Sequence, residues 1–193
     1  MKKYKIILTL LIFSMICFGK AKKIEDFAFV NLGYVQSQSK NWNAGFGGHV
    51  ELGSGRWGLR AFWTRVTLET EINNMIINAG APEFDHYSTL FGMLLVQKIY
   101  LMEINQFFFM NISIGAGAGF FEKKVEVEKQ FEPLLRHFNV NVTDVGVTGA
   151  SALMGFDVGV GPVAASCSYY FFKGILFGDQ LEKRLTLTLG FIL

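Results

Sequence analysis

This chain of 193 residues is poor in the residues that staple, kink or break a fold. It has two cysteines, Cys17 and Cys167, and three prolines. Cys17 lies in an N-terminal segment that reads as removable, so one thiol remains and no internal disulfide can form. Cys167 then serves as a small apolar side chain on a strand. Apolar runs of about twenty residues, the length a membrane helix needs, are also missing. Val145 to Phe172 comes nearest, but it contains Gly146, Gly149, Gly155, Gly159, Gly161, Pro162 and Asp157. Two strands around a turn explain those residues better than one helix does.

Residues 1–21 read as an export signal. Lys2, Lys3 and Lys5 precede an apolar run, Ile6 to Phe18, and Gly19-Lys20-Ala21 offers small residues for cleavage after Ala21. A retained anchor helix is one rival. A lipoprotein signal at Cys17 is another, against which stands the bulky Ile16 before it. Removing the four lysines of this segment from 18 basic residues leaves 14 against 16 acidic ones, a net charge of −2. No basic surface is left to suggest nucleic acid. Residues 22–193 are long enough for one domain.

What the chain does have is alternation. Phe108, Met110, Ile112, Ile114, Ala116, Ala118 and Phe120 form one set, and Asn111, Ser113, Gly115, Gly117 and Gly119 the other. A period of two is a strand with one apolar and one polar or small face. Eight such segments follow one another: Asp26–Gln36, Asn43–Gly53, Arg56 to about Thr70, Tyr87–Met102, Phe108–Phe120, about Val140–Phe156, about Pro162–Phe172 and Arg184–Leu193. The fifth is expected to run on past Phe121, where Val125 and Val127 alternate with charges. The third changes phase after Trp63, which predicts a bulge near Thr64 that turns Val66 and Leu68 outward. The fourth is apolar on both faces and has no clear phase.

Connections at 54–55, 103–106 and 157–161 are short, whereas 71–85, 129–139 and 173–183 are long. Residues 131–138 could form a short helix. Short and long ends alternate, so an up-and-down barrel gathers the short turns at one rim and the loops at the other. The expected fold is all-β: an eight-stranded antiparallel transmembrane barrel preceded by a cleaved signal peptide. Lipid offers the backbone no hydrogen-bond partner, so such a sheet has to close. Tyr34, Trp42, Trp57, Trp63, Tyr87, Phe108, Phe120 and Phe191 are placed for two interfacial aromatic girdles. Inside, the glycines leave room for His49, Glu51 and Arg60, which are expected to form a polar network. A soluble lipocalin-type barrel is the rival fold, with its apolar face turned inward.

The alternation, the eight strands and the C-terminal Leu189-Gly190-Phe191-Ile192-Leu193 resemble small outer-membrane barrels of the OmpA/OmpX type. The resemblance covers residues 22–193 as architecture. It implies an outer-membrane location, lipid neighbours and recognition of the last strand by the barrel assembly machinery, with Leu193 in place of the usual terminal aromatic. An extracellular partner would be met through the loops.

His86-Tyr87-Ser88 is the one motif with a catalytic look. It is similar to the His-x-Ser of outer-membrane lipid A deacylases, but Thr89 replaces that family's Asn and the motif lies mid-chain. The bland reading is a loop histidine and a strand-start serine. His49, His86 and His137 lie on separate elements without metal-ligand spacing, and Gly115-x-Gly117-x-Gly119 marks a strand face, not a nucleotide loop. No catalytic residue, metal or cofactor is therefore expected. A structural or surface-interaction barrel is the leading reading. A narrow conduit or small-ligand carrier is the second, and a lipid A-modifying enzyme the third.

Overall fold

The computed structural model describes residues 26–39, 41–105, 108–140, 144–174 and 181–193. The expected signal, residues 1–21, lies outside them. Eight strands run β1 (Asp26–Ser37), β2 (Trp42–Ser54), β3 (Trp57–Leu68), β4 (His86–Asn105), β5 (Phe108–Val125), β6 (Val145–Val160), β7 (Val163–Gly174) and β8 (Leu181–Ile192). Each pairs antiparallel with its neighbour in sequence, and β1 pairs with β8, so the sheet closes into an eight-stranded barrel. Gly55 and Gly161 sit at φ +62° in two of the tight turns, a conformation that costs glycine little.

The alternation sets the facing. Leu32, Phe46, Leu95, Met154 and Leu189 are more than half exposed on the outer surface. Val35, Glu51, Arg60, Leu94, Ser113 and Arg184 are fully buried inside. The apolar set therefore faces out over the middle of every strand, the reverse of a lipocalin-type barrel. β4 takes the phase that its sequence left open: Leu90, Leu94, Val96 and Lys98 point inward, Phe91, Met93 and Leu95 outward.

Several expectations are corrected. β3 keeps its phase to Leu68, with no bulge near Thr64. Val66 and Leu68 are buried inside, and Arg65 and Thr67 face out. The irregularity falls on the partner strand, between Trp42 and Gly45, and turns Trp42 inward and away from the expected girdle. β4 extends through the expected turn at 103 to Asn105. β6 starts at Val145, not Val140, and runs through Asp157, which is a strand residue and not part of a turn. The loop expected at 71–85 opens with a helix, α1 (Thr70–Asn78).

The inward facing of Trp42, Val66 and Leu68 has one cause. Two of the long loops, at 70–85 and 126–140, fold into an apolar cap over one mouth of the barrel. A 3-10 turn at Lys129–Phe131 leads into α2 (Glu132–His137), where a short helix was expected. Val35, Trp42, Val66, Leu68, Ile72, Ile76, Ala81, Phe84, Val125, Leu135 and Val140 form one buried cluster beneath α1 and α2. Apolar residues at the upper ends of β1, β3 and β5 can face inward because the loop helices cover them. An alternation pattern read with lipid as the only apolar surroundings assigns them to the wrong side.

Ile76 is fully buried at the centre of this cap. Ile76→Ala is expected to loosen the cap by about 2–5 kcal/mol while the barrel stays folded. Limited proteolysis would then cut within 70–85 and 128–140 faster than in the parent, with unchanged heat-modifiable gel mobility.

Candidate functional site

Inside the barrel the short-turn end is closed first. Phe27, Phe29, Tyr100, Phe109, Ala164 and Ile192 pack into an apolar plug there. Phe29 lies 5.6 Å from Phe109, ring centre to ring centre.

Above the plug sits a charge cluster contributed by four strands. Arg60 on β3 reaches Glu51 on β2 twice, through Nε at 2.7 Å and Nη2 at 2.6 Å. Its Nη2 also lies 3.3 Å from Asp157 Oδ2 on β6, and Nη1 donates to Ser168 Oγ at 3.2 Å. Lys98 on β4 places Nζ 3.0 Å from Glu51 Oε1 and 3.9 Å from Asp157 Oδ2. The same ammonium stands over the rings of Phe29 and Phe27, at 4.0 and 4.5 Å. Two cations face two carboxylates, so the buried charge balances.

Hydroxyls and amides complete the cluster. Ser166 donates to Asp157 Oδ1 at 2.6 Å, and Ser113 donates to Asp157 Oδ2. Asn31 Nδ2 donates to Ser166 Oγ at 3.0 Å and reaches His49 Nε2 at 3.2 Å. A side chain at Gly58 would stand 2.6 Å from Glu51 Oε1, so this glycine leaves space for the Glu51 carboxylate.

The expected trio is thus brought together: Glu51 and Arg60 directly, His49 through Asn31 and Ser166. Lys98 and Asp157 were missed. Lys98 lies on the strand without a readable phase, and Asp157 beside Gly155, Gly159 and Gly161 looked like turn chemistry. The available signal was charge: two cations and two acids buried at inward positions balance, whereas Arg60 with Glu51 alone would leave Lys98 unanswered.

A second apolar layer lies higher. Phe62, Leu90, Leu94, Val96, Val147, Leu153, Tyr170 and Phe172 pack across the lumen, with Phe62 and Tyr170 stacked at 4.3 Å. Near the loop rim, Arg184 on β8 bonds Glu182 at 2.7 Å and donates to Ser88 Oγ at 2.6 Å. Glu182 also accepts from Ser37 at 3.1 Å and from Ser39. These contacts tie β8 to β1 and β4.

This occupies the one motif with a catalytic look. Ser88 is buried and takes the Arg184 guanidinium, while His86 Nδ1 lies 2.9 Å from the Phe84 carbonyl oxygen. His49, His86 and His137 do not converge, and among the described residues no group of histidine, cysteine and carboxylate side chains could hold a metal.

A closed antiparallel barrel with apolar outer surface, polar-and-apolar packed lumen and long loops at one rim is the fold of small eight-stranded outer-membrane proteins. No protein-family model matches the sequence, and no curated protein matches it significantly. Solved structures do match. The crystal structure of Ail, the attachment invasion locus protein of Yersinia pestis, superposes with a TM-score of 0.51 at 16% identity, covering 88% of this chain and 100% of that one. The N-terminal β-barrel domain of Pseudomonas aeruginosa OprF gives 0.57 at 10% identity, covering 89% and 100%. At such identities the likeness is one of fold.

Arg60→Met would leave Glu51 and Asp157 sharing Lys98 as their one cation. The expected loss is about 3–5 kcal/mol, seen as a lower unfolding midpoint in detergent micelles. Adding Asp157→Asn should recover part of it. An unchanged midpoint in the single variant would show that the pairing contributes nothing.

Proposed function

We propose that this chain is an integral outer-membrane barrel with a structural or surface-interaction role and no catalysis. Residues 1–21 act as the export signal and residues 22–193 as the barrel domain. The last strand is read by the barrel assembly machinery, lipids surround the barrel, and the capped loops face the exterior, where an extracellular partner would meet them.

The observation that carries this reading is the filling of the lumen. An aromatic plug, a balanced charge cluster, a second apolar layer and the loop cap follow one another along the axis. Each layer spans the interior with packed side chains, so the barrel supports its loops and does not lead anything through. A small barrel has room for side chains but not for an aqueous channel. This disfavours the conduit or carrier reading. The lipid A-modifying reading is disfavoured by Ser88, whose hydroxyl is committed to Arg184.

Two measurements test the proposal. Cell fractionation should place the protein in the outer membrane, with mobility on gels that changes on heating. In planar bilayers the purified barrel should give no discrete conductance steps. Steady single-channel openings would sink the sealed-lumen reading, and recovery in the soluble periplasmic fraction would sink the membrane one.

A further inference from the structure

A chain of hydrogen bonds runs out from the charge cluster to one buried imidazole. Asp157 stands as a carboxylate facing Arg60 and Lys98. A carboxylate can only accept, so the Ser166 hydroxyl has to direct its proton to Oδ1, at 2.6 Å. Ser166 Oγ is left as an acceptor, and Asn31 meets it with its amide nitrogen at 3.0 Å. Gly190 on β8 leaves the space for this bridge from β1 to β7: a side chain there would stand 2.1 Å from Asn31 Oδ1. The other N–H of the same amide faces His49 Nε2 at 3.2 Å. The charge on Asp157 thus sets the direction of each bond in turn. His49 is left to accept at Nε2, which puts its ring proton on Nδ1.

His49 is buried, and its Nδ1 has no hydrogen-bond partner among the described residues. The charged groups that act on the ring are Arg60 on β3, Lys98 on β4 and Asp157 on β6, with Glu51 two residues along its own strand. Two cations and two carboxylates balance while the imidazole is neutral. A second ring proton would add a third cation to this set without a third acid. It would also occupy the Nε2 lone pair, so that two donors, Nε2–H and the Asn31 amide, point at each other.

We infer that His49 is an acid-sensitive switch in the barrel interior, set by the bonds from Asp157 through Ser166 and Asn31. The element with two states is the Asn31 amide. With His49 neutral, the amide nitrogen holds both His49 and Ser166. When Nε2 takes a proton from water, the amide turns over and Oδ1 accepts from Nε2–H. The carbonyl oxygen then opposes the Ser166 oxygen, and the tie between β1 and β7 is lost. The neutral ring fits the folded barrel and the imidazolium does not, whereas the unfolded chain accommodates both. Below the ordinary histidine range the unfolded state therefore binds more protons. Stability is full above that range and falls as the pH drops through it.

The test uses the full barrel, refolded in detergent and shown to have heat-modifiable mobility. NMR of isotope-labelled histidine ring nitrogens reads the tautomer directly. The chain has three histidines, and the signals lost in His86→Gln and in His137→Gln leave the third as that of His49. At about pH 7.5 His49 should carry its proton on Nδ1, with Nε2 bare. A proton on Nε2 at that pH overturns the proposal, whether or not any His49 variant folds. The second readout is the urea unfolding midpoint as a function of pH. Between about pH 7.5 and 5 the parent should take up about one proton more on unfolding than His49→Gln does. The glutamine carbonyl accepts from Asn31 and does not titrate. His86→Gln/His137→Gln should behave as the parent. Equal pH dependence in the parent and His49→Gln overturns the switch. In Asn31→Ala, His49 should lose its preference for Nδ1–H, and a preference kept there would show that the chain does not set it.

Discussion

A sheet in lipid has no solvent to satisfy the backbone groups along its edges, so it either closes or pays several kcal/mol for each unmet group. In this chain the closing contact is the β1–β8 ladder, from Phe29 opposite Ile192 to Ser37 opposite Arg184. Once β1 and β8 are joined, the barrel diameter is set by eight strands, and with it the volume of the lumen. Everything packed inside has to fit that volume. The glycines at the inner wall follow from it: a side chain at Gly92 would stand 2.9 Å from Phe62, and one at Gly58 nearer still to Glu51.

Closure also explains why charges are tolerated at the centre. Arg60, Lys98, Glu51 and Asp157 are withdrawn from water, but each finds an opposite charge and the set sums to zero. The cluster joins β2, β3, β4 and β6 across the lumen, with Ser113, Ser166 and Ser168 reaching in from β5 and β7. Breaking one partner leaves a buried charge unmet, which is why such a cluster holds its geometry. At the loop rim, Glu182 and Arg184 repeat the arrangement on a smaller scale beside the closing ladder.

Much of this was legible in the residues, and the failures are informative. The strand spanning Phe108–Phe120 alternates cleanly, and both its faces lie as its residues suggest. The short connection expected at 54–55 was equally plain, and Gly55 lies in that turn. Val66, Leu68 and Trp42 were read as outward because each is apolar and lipid is the obvious apolar surroundings. They turn inward because Ile72, Ile76 and Leu135 of the loop helices meet them. Asp157 was read as turn chemistry because glycines flank it, and its neutralising partners lie on β3 and β4. Lys98 stood in a segment apolar on both faces, where no periodicity remained to place it.

Strand number, the alternation of short and long connections and the facing of most of the wall could be read from the residues alone. These depend on local chemistry: a period of two, turn residues and the preference of apolar side chains for lipid. Which charges meet, the folding of two loops into a cap, and the side on which the residues beneath that cap lie emerge once the chain is folded. Those depend on contacts between segments distant in the chain, such as Arg60 with Asp157 or Val66 with Leu135's cluster, and no local pattern encodes them.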